Sequence, residues 1–239
     1  MKSVSALVIA AICAFSATAH GQIVWGNVTA IQGDSDVSVN GTSIDALQAL
    51  PSGNNGINKP AETVNGTLFN SDNLSLTDGV ITYSGPLGGG SDGGQGLGLS
   101  TAYSSVLAGC VYVDDNPADY NPGTFPAIAP TGVITLDVTA GDTYQVQLWN
   151  AYLNGYRTTT FSVGSDSVTL AGSEYVIGTF TATSSTEVID FNGVVSTDSS
   201  GVGEVNAVAL RETPEPSTYA MLIVGLAFLG FRLRRVGRA

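Results

Sequence analysis

Between residues 133 and 150 the side chains alternate between apolar and polar with a period of two, and one short turn interrupts them. Ile134, Leu136 and Val138 alternate with Thr135, Asp137 and Thr139, and Tyr144, Val146 and Leu148 alternate with Gln145 and Gln147. Only a β-strand sends successive side chains to opposite faces, so each segment is expected to be a strand with one buried face. Ala140-Gly141-Asp142 between them has turn chemistry and the length of a hairpin connection. Further strands are expected at 157–163, 167–170, 175–182, 187–191 and 204–211, with breaks at Gly164-Ser165-Asp166, Ala171-Gly172-Ser173 and Ser199-Ser200-Gly201. Turn signals spaced about ten residues apart predict an all-β body, an antiparallel β-sandwich of jelly-roll-like type.

The first half carries the same composition with weaker alternation. Strands are expected at 22–32, 37–40, 61–69 and 80–84, with Asn40-Gly41 and Asn65-Gly66 as tight-turn pairs. The glycine-rich stretch 86–98 reads as a mobile surface loop, because no phosphate-binding spacing with a following lysine can be laid on it. Tyr103, Val106, Leu107, Cys110 and Val111 fall at helical spacing and predict one short helix ending near Gly109.

Both ends are set apart from this body. Residues 1–19 begin with Lys2, continue through an uncharged apolar stretch and end on the small residues Ala17 and Ala19, the pattern of a secretory signal peptide. The exported body then runs over 20–213 and a terminal segment over 214–239. Once the leader is gone Cys110 is the remaining thiol, so no intrachain disulfide forms and burial alone holds the core. A cysteine in so apolar a segment is expected to be a small buried hydrophobe.

Charge is distributed unevenly. The body keeps three basic residues, Lys59, Arg157 and Arg211, against 19 acidic ones, a net charge of −16. Such a surface repels phosphate backbones and excludes nucleic acid as a partner. The only histidine, His20, stands at the expected cleavage point, so the body has no imidazole base. Serine- or cysteine-histidine catalysis and a histidine zinc site are excluded with it, and no catalytic residue or cofactor is assigned. Paired carboxylates for glycoside hydrolysis stay open as an alternative, because the spacing of two acids across a cleft is not legible in a sequence.

Calcium is the one cation the acids could collect. Asp34-Ser35-Asp36, and Asp114-Asp115-Asn116 with Asp119, offer oxygen ligands, yet Val39 occupies the place where a calcium loop of the EF-hand type needs glycine. Solvated acidic turns are the other reading. The candidate ligand-binding residues are Trp149, Asn150, Tyr152, Tyr156 and Arg157, which gather aromatics, an amide and a guanidinium around one turn. Aromatic faces stack on sugar rings while amides and guanidinium bond hydroxyls; the competing reading is that Trp149 and Tyr156 are packing and Arg157 pairs with an acid.

The terminal segment reads Pro214-Glu215-Pro216-Ser217-Thr218, then an apolar run from Tyr219 to Phe231, then Arg232, Arg234 and Arg235. It closely resembles the PEP-CTERM sorting signal. The resemblance implies recognition by an exosortase, a membrane-embedded, transpeptidase-like cysteine enzyme of Gram-negative bacteria that make exopolysaccharide. It gives Pro214, Glu215 and Pro216 the role of substrate. Thirteen helical residues span about 20 Å, short of a hydrocarbon core of about 30 Å, so snorkelling arginines must complete a single transmembrane helix. Arginines behind an exported body also follow the positive-inside rule.

The body resembles, less specifically, galactose-binding or malectin-like β-sandwiches, on Gly141-Asp142-Thr143-Tyr144, Tyr175-Val176-Ile177-Gly178-Thr179-Phe180 and Val205-Asn206-Ala207-Val208-Ala209-Leu210. That likeness implies extracellular polysaccharide as a ligand. The expected protein is a non-catalytic, exosortase-sorted cell-surface or matrix component of a biofilm, held at the inner membrane as a precursor. A purely structural role without ligand is the third reading.

Overall fold

The structure, a computed structural model, describes residues 21–49, 59–71, 79–85, 87–90, 97–113, 131–152, 157–196, 199–200 and 202–214. The leader and the segment from Glu215 onward, with Tyr219, Phe231, Arg232, Arg234 and Arg235, lie outside them, as does Tyr156. The first strands are β1 (Ile23–Trp25), β2 (Thr29–Ala30), β3 (Thr42–Gln48), β4 (Glu62–Val64), β5 (Thr67–Ser71), β6 (Ile81–Ser84), β7 (Leu87–Gly90) and β8 (Cys110–Val113). The helix α1 (Thr101–Leu107) lies between β7 and β8. Then come β9 (Gly132–Asp137), β10 (Thr143–Asn150), β11 (Thr159–Val163), β12 (Asp166–Leu170), β13 (Glu174–Thr181), β14 (Thr186–Gly193), β15 (Val195–Ser196), β16 (Ser199–Ser200), β17 (Glu204–Val205) and β18 (Ala207–Thr213).

The architecture is a β-sandwich. One sheet of eight strands runs β1-β13-β10-β18-β3-β5-β4, with β2 also paired to β13; a sheet of five runs β12-β11-β14-β9-β6. Pairing is antiparallel except between β3 and β5, which lie parallel at Leu47↔Asn70. The alternation read from the sequence now has its cause. Val146, Leu148, Val176, Phe180, Val208 and Leu210 from the large sheet meet Ile134, Leu136, Phe161, Ile189 and Phe191 from the small one in a single buried cluster. Each such side chain contributes about 1.5–3 kcal/mol by leaving water, which lets a disulfide-free body hold together.

The large sheet has a second covered face. Trp149, Ala207, Ala209 and Ala46 point away from the sandwich and join Phe69, Val64, Tyr103, Val106 and Leu107 in a separate core under α1. Alanines on β18 and β3 leave the depth that the Trp149 ring fills. The helix is only seven residues long and holds by this packing together with its cap, Ser100, whose hydroxyl accepts from the Tyr103 N–H at 3.2 Å.

Several expectations are corrected. The strand expected over 22–32 is two short ones, because Gly26 leaves the ladder while still donating to the Ile177 carbonyl at 2.8 Å. Residues 37–40 form no strand; their carbonyls accept from Arg211, at 3.0 Å for Asn40 and 3.4 Å for Val39. Thr42–Gln48 is a strand that alternation did not reveal, lying between β18 and β5 with its end at Ala46, Leu47 and Gln48 buried. Ala140-Gly141-Asp142 turns the chain from β9 in one sheet to β10 in the other instead of closing a hairpin. Within the glycine-rich stretch, Leu87–Gly90 pairs with β8; a Cβ on Gly88 would fall 2.5 Å from the Tyr112 ring, so the bare backbone makes room for that ring. Cys110 and Val111 belong to β8, not to the helix, and Cys110 is fully buried.

Candidate functional site

The stretch singled out from sequence lies where β10 ends. Trp149 and Asn150 are fully buried. The Trp149 indole N–H donates to the Tyr103 hydroxyl at 2.8 Å, and its ring packs edge-on to Phe69 at 5.7 Å and against Tyr175 at 6.4 Å. Its faces are covered by protein. The Asn150 amide donates to the Arg157 carbonyl at 2.9 Å and the Thr159 hydroxyl at 3.1 Å, closing the loop between β10 and β11. Tyr152 and Arg157 come together, with the guanidinium 4.5 Å from the Tyr152 ring centre and 5.8 Å from that of Tyr112.

That guanidinium has one dominant partner. Arg157 donates to Glu204 at 2.8 Å, and Glu204 is fully buried while the Arg157 side chain keeps 21% of its surface. The other Glu204 oxygen accepts from the Asn206 amide at 3.1 Å. Thr159 clasps the Glu204 backbone, its hydroxyl donating to the carbonyl at 3.0 Å and accepting from the N–H at 2.8 Å. Burial opposes the charge on Arg157, but the hydrogen bond and ion pair with Glu204 outweigh it and raise the guanidinium above its ordinary value. Asn206 also donates to the carbonyls of Leu107 and Gly109 and accepts from the Ala151 N–H at 2.7 Å, tying the end of α1 to the end of β10. The cluster holds loops together; as chemistry it is a cation enclosed by its own acid.

A second place is more open. On the face of β13 turned away from the sandwich, a cleft of 430 Å³ is lined by Val24, Trp25, Asn27, Thr29, Tyr175, Ile177 and Thr179. That volume lies within the usual range of small-ligand sites, about 300–1,000 Å³. Register explains it: Val176, Gly178 and Phe180 fill the sandwich side of β13, so Tyr175, Ile177 and Thr179 must face outward. Two apolar residues on the outward parity of a strand were the sequence signal for this site, and periodicity alone did not use it. Val24 opposite Thr179 is 67% exposed. Trp25, opposite Gly178, turns its ring to the sandwich side and packs on the inner core, so it borders the cleft without lending its indole to it. The Tyr175 phenol is held protonated by burial first and by the Asp36 charge second, with a hydrogen bond from Thr29 working the other way. An apolar floor, the Tyr175 ring and hydroxyl groups without a basic side chain suit an uncharged, hydroxyl-rich molecule.

The acidic turn at 34–36 is engaged by the fold. Asp36 accepts from the N–H groups of Gln32 at 2.6 Å and Gly33 at 2.8 Å, and Asp34 accepts from the Ser100 hydroxyl at 2.6 Å. Asp114, Asp115, Asn116 and Asp119 lie outside the described residues. Among the described residues no three acidic, histidine or cysteine side chains gather as a metal site, and no helix is long and apolar enough to cross a membrane.

Pro214 is exposed and follows directly on β18, which lies in the middle of the large sheet between β10 and β3. Comparison with known proteins adds to this end of the chain. Residues 212–236 match the PEP-CTERM protein-sorting motif, whose processing enzyme is an exosortase. No curated protein matches the sequence. Among solved structures the chain is similar to the ANX2 ectodomain from Arabidopsis thaliana, at 12% identity and a TM-score of 0.42 over 73% of this chain and 50% of that one. It is also similar to Bacteroides uniformis beta-glucuronidase 2, at 13% identity and a TM-score of 0.39 over 77% of this chain and 19% of that one. The chain thus spans half or less of the length of these structures.

Proposed function

We propose that this chain is an exported precursor that an exosortase cuts at its C-terminal motif, delivering an acidic, non-catalytic β-sandwich to the surface or matrix of a Gram-negative cell. The match over residues 212–236 carries this reading. Its position supports it: the motif begins at Glu212, at the end of a strand paired on both sides. The segment removed holds four of the eight basic residues, and the released body carries a net charge of −16.

At its destination the sandwich binds neutral polysaccharide through the cleft of Val24, Thr29, Tyr175 and Thr179. The absence of a basic side chain among the lining residues disfavours anionic sugars. On this reading the carbohydrate contact lies away from Trp149, whose ring is covered by protein, and Tyr152 and Arg157 act as a brace at the neighbouring end.

Two measurements test the reading. Intact mass of the protein recovered outside the cell should show the run from Tyr219 onward missing, and the full chain should accumulate in membranes when the exosortase is deleted; a secreted protein ending at Ala239 overturns the sorting assignment. A glycan array probed with the recovered protein should show binding to uncharged polymers without release of reducing sugar. Release of sugar would instead favour the paired-carboxylate enzyme.

A further inference from the structure

In the outward cleft on β13, the two chain segments that flank Ile177 present no side chain free to hold a hydroxyl group. Ile177 itself lines the middle of the cleft. On the β1 side it faces Gly26, which has no side chain and whose N–H is spent on the Ile177 carbonyl at 2.8 Å. On the β10 side it faces Gln147, which is buried and engaged at both ends of its amide. Its Nε2 group donates to the Asp36 carbonyl at 2.7 Å, and its Oε1 accepts from the Ser38 N–H at 3.0 Å. Val24, opposite Thr179, stands diagonally across the ladder from Ile177 on the same face. Neither of these aliphatic side chains belongs to either buried core. Hydroxyl groups stand instead at the two ends of the cleft. Tyr175 and Thr29 are in register at one end, and Thr179 is at the other, about 13 Å along the strand.

We propose, building on the neutral-polysaccharide reading of this cleft, that it selects an uncharged sugar carrying a methyl group, as an acetyl or a 6-deoxy substituent, and seats that methyl on Ile177 and Val24. A hydroxyl lowered onto the aliphatic floor leaves water without finding a partner there, which costs free energy. A methyl in the same place gains by leaving water. The bare backbone at Gly26 admits the substituent: a Cβ there would lie 3.0 Å from the Ile177 carbonyl oxygen and stand over the floor. At the two ends the Tyr175 ring stacks on a neighbouring sugar unit, and the Thr29 and Thr179 hydroxyls bond its ring substituents. Charge agrees with an acylated or deoxygenated sugar over an ionised one. Neither an acidic nor a basic side chain is among the lining residues, so a deacetylated amino sugar finds no carboxylate for its ammonium and a uronic acid finds no cation.

The test uses the protein recovered outside the cell and trimeric glycans on a glucose and on a galactose backbone, each in its all-hydroxyl, 2-acetamido, 6-O-acetyl and 6-deoxy forms. Calorimetric titration should show at least one methyl-bearing form binding about tenfold tighter than its hydroxyl parent, the effect of about one methylene in an apolar pocket. Which form gains tells whether an acetyl or a 6-deoxy group supplies the methyl. Ile177→Thr keeps the β-branched shape of the strand residue and puts a hydroxyl on the floor, so it should bring the methyl-to-hydroxyl affinity ratio to about one. Val24→Ser, at an exposed position, should lower the same ratio about threefold and serves if Ile177→Thr fails to fold. The ratio does not depend on the fraction of protein folded. Equal binding of hydroxyl and methyl-bearing forms by wild type, or a ratio unchanged in the variants, overturns the methyl preference and leaves the neutral-polysaccharide reading standing. Failure of every trimer on both backbones to bind overturns that reading of the cleft as well.

Discussion

The Arg157 guanidinium lies 2.8 Å from a Glu204 carboxylate that has no surface of its own. Arg157 is one of three basic residues in a body with 19 acids, and it is spent on an acid inside the fold. Removing the guanidinium leaves a buried carboxylate whose remaining side-chain donor among the described residues is the Asn206 amide at 3.1 Å. Arg157→Ala is therefore expected to lower stability by about 3–5 kcal/mol in urea unfolding. The double variant Arg157→Ala with Glu204→Leu should recover most of that loss, since an apolar side chain needs no partner. A double variant as unstable as the sum of its parts would show that the pair is not the coupled unit.

If the outward cleft on β13 holds the glycan, binding and stability should separate there. Thr179 is exposed, so Thr179→Glu should leave the melting temperature unchanged while placing charge and bulk in the cleft. Binding to the polymer identified on the array should fall at least about tenfold, a loss of about 1.4 kcal/mol. Tyr175→Ala removes a ring that also packs on Trp149 at 6.4 Å, so a smaller loss of stability should accompany its loss of binding. Isothermal calorimetry on the three proteins decides the matter; undiminished binding by Thr179→Glu moves the site elsewhere.

The sandwich was legible where one sheet face is dry and the other wet. Along β10 the residues Tyr144, Val146 and Leu148 face the inner core, and their alternation with glutamines shows in the sequence. Farther along the same strand the outer face is covered too, Trp149 is buried, and the polar half of the pattern disappears. That covering is also why Trp149 read as a binding residue: nothing local distinguishes a tryptophan under a helix from one on a surface. β3 was hidden for the same reason, with Ala46 in one core and Leu47 in the other. The turn between β9 and β10 has hairpin chemistry, but its strands join different sheets, a choice made by long-range packing. The cleft went unseen because it depends on which parity of β13 faces out, and that is set by its partners β10 and β1.

Two glycines read as turn residues should respond differently to the same change. Gly66 closes the β4–β5 hairpin with Asn65 at positive φ, 78° and 47°, and a Cβ there meets open space. Gly66→Ala should cost about 1 kcal/mol, the strain of the left-handed backbone alone. Gly41 also has positive φ, 82°, but its Cβ would lie 2.2 Å from the Glu212 carbonyl oxygen. Gly41→Ala must push β18 away at the residue where the sorting motif begins, and it should cost about 2–4 kcal/mol. Chemical denaturation of both variants, with recovery of secreted protein as a second readout, checks the difference.

Lys59 gives the body a pH dependence of unusual sign. Its ammonium donates to the Val106 carbonyl at 3.4 Å near the end of α1, and burial lowers it to about 8 even though Glu62 pulls the other way. The unfolded chain titrates near 10.5, so from about pH 8 to that value it binds more protons than the folded one. Stability from this residue therefore rises across the window and is lowest below pH 8, where folding must bury a charge. Tyr103 opposes it only at the upper end: burial raises its phenol, so that contribution is lost once the unfolded phenol ionises near pH 10. Lys59→Met should melt higher than wild type at pH 7, and the gap should close as pH approaches 10. Melting curves for both proteins across that range test the sign, and a gap that widens with pH would place the Lys59 ammonium in a site that favours its charge.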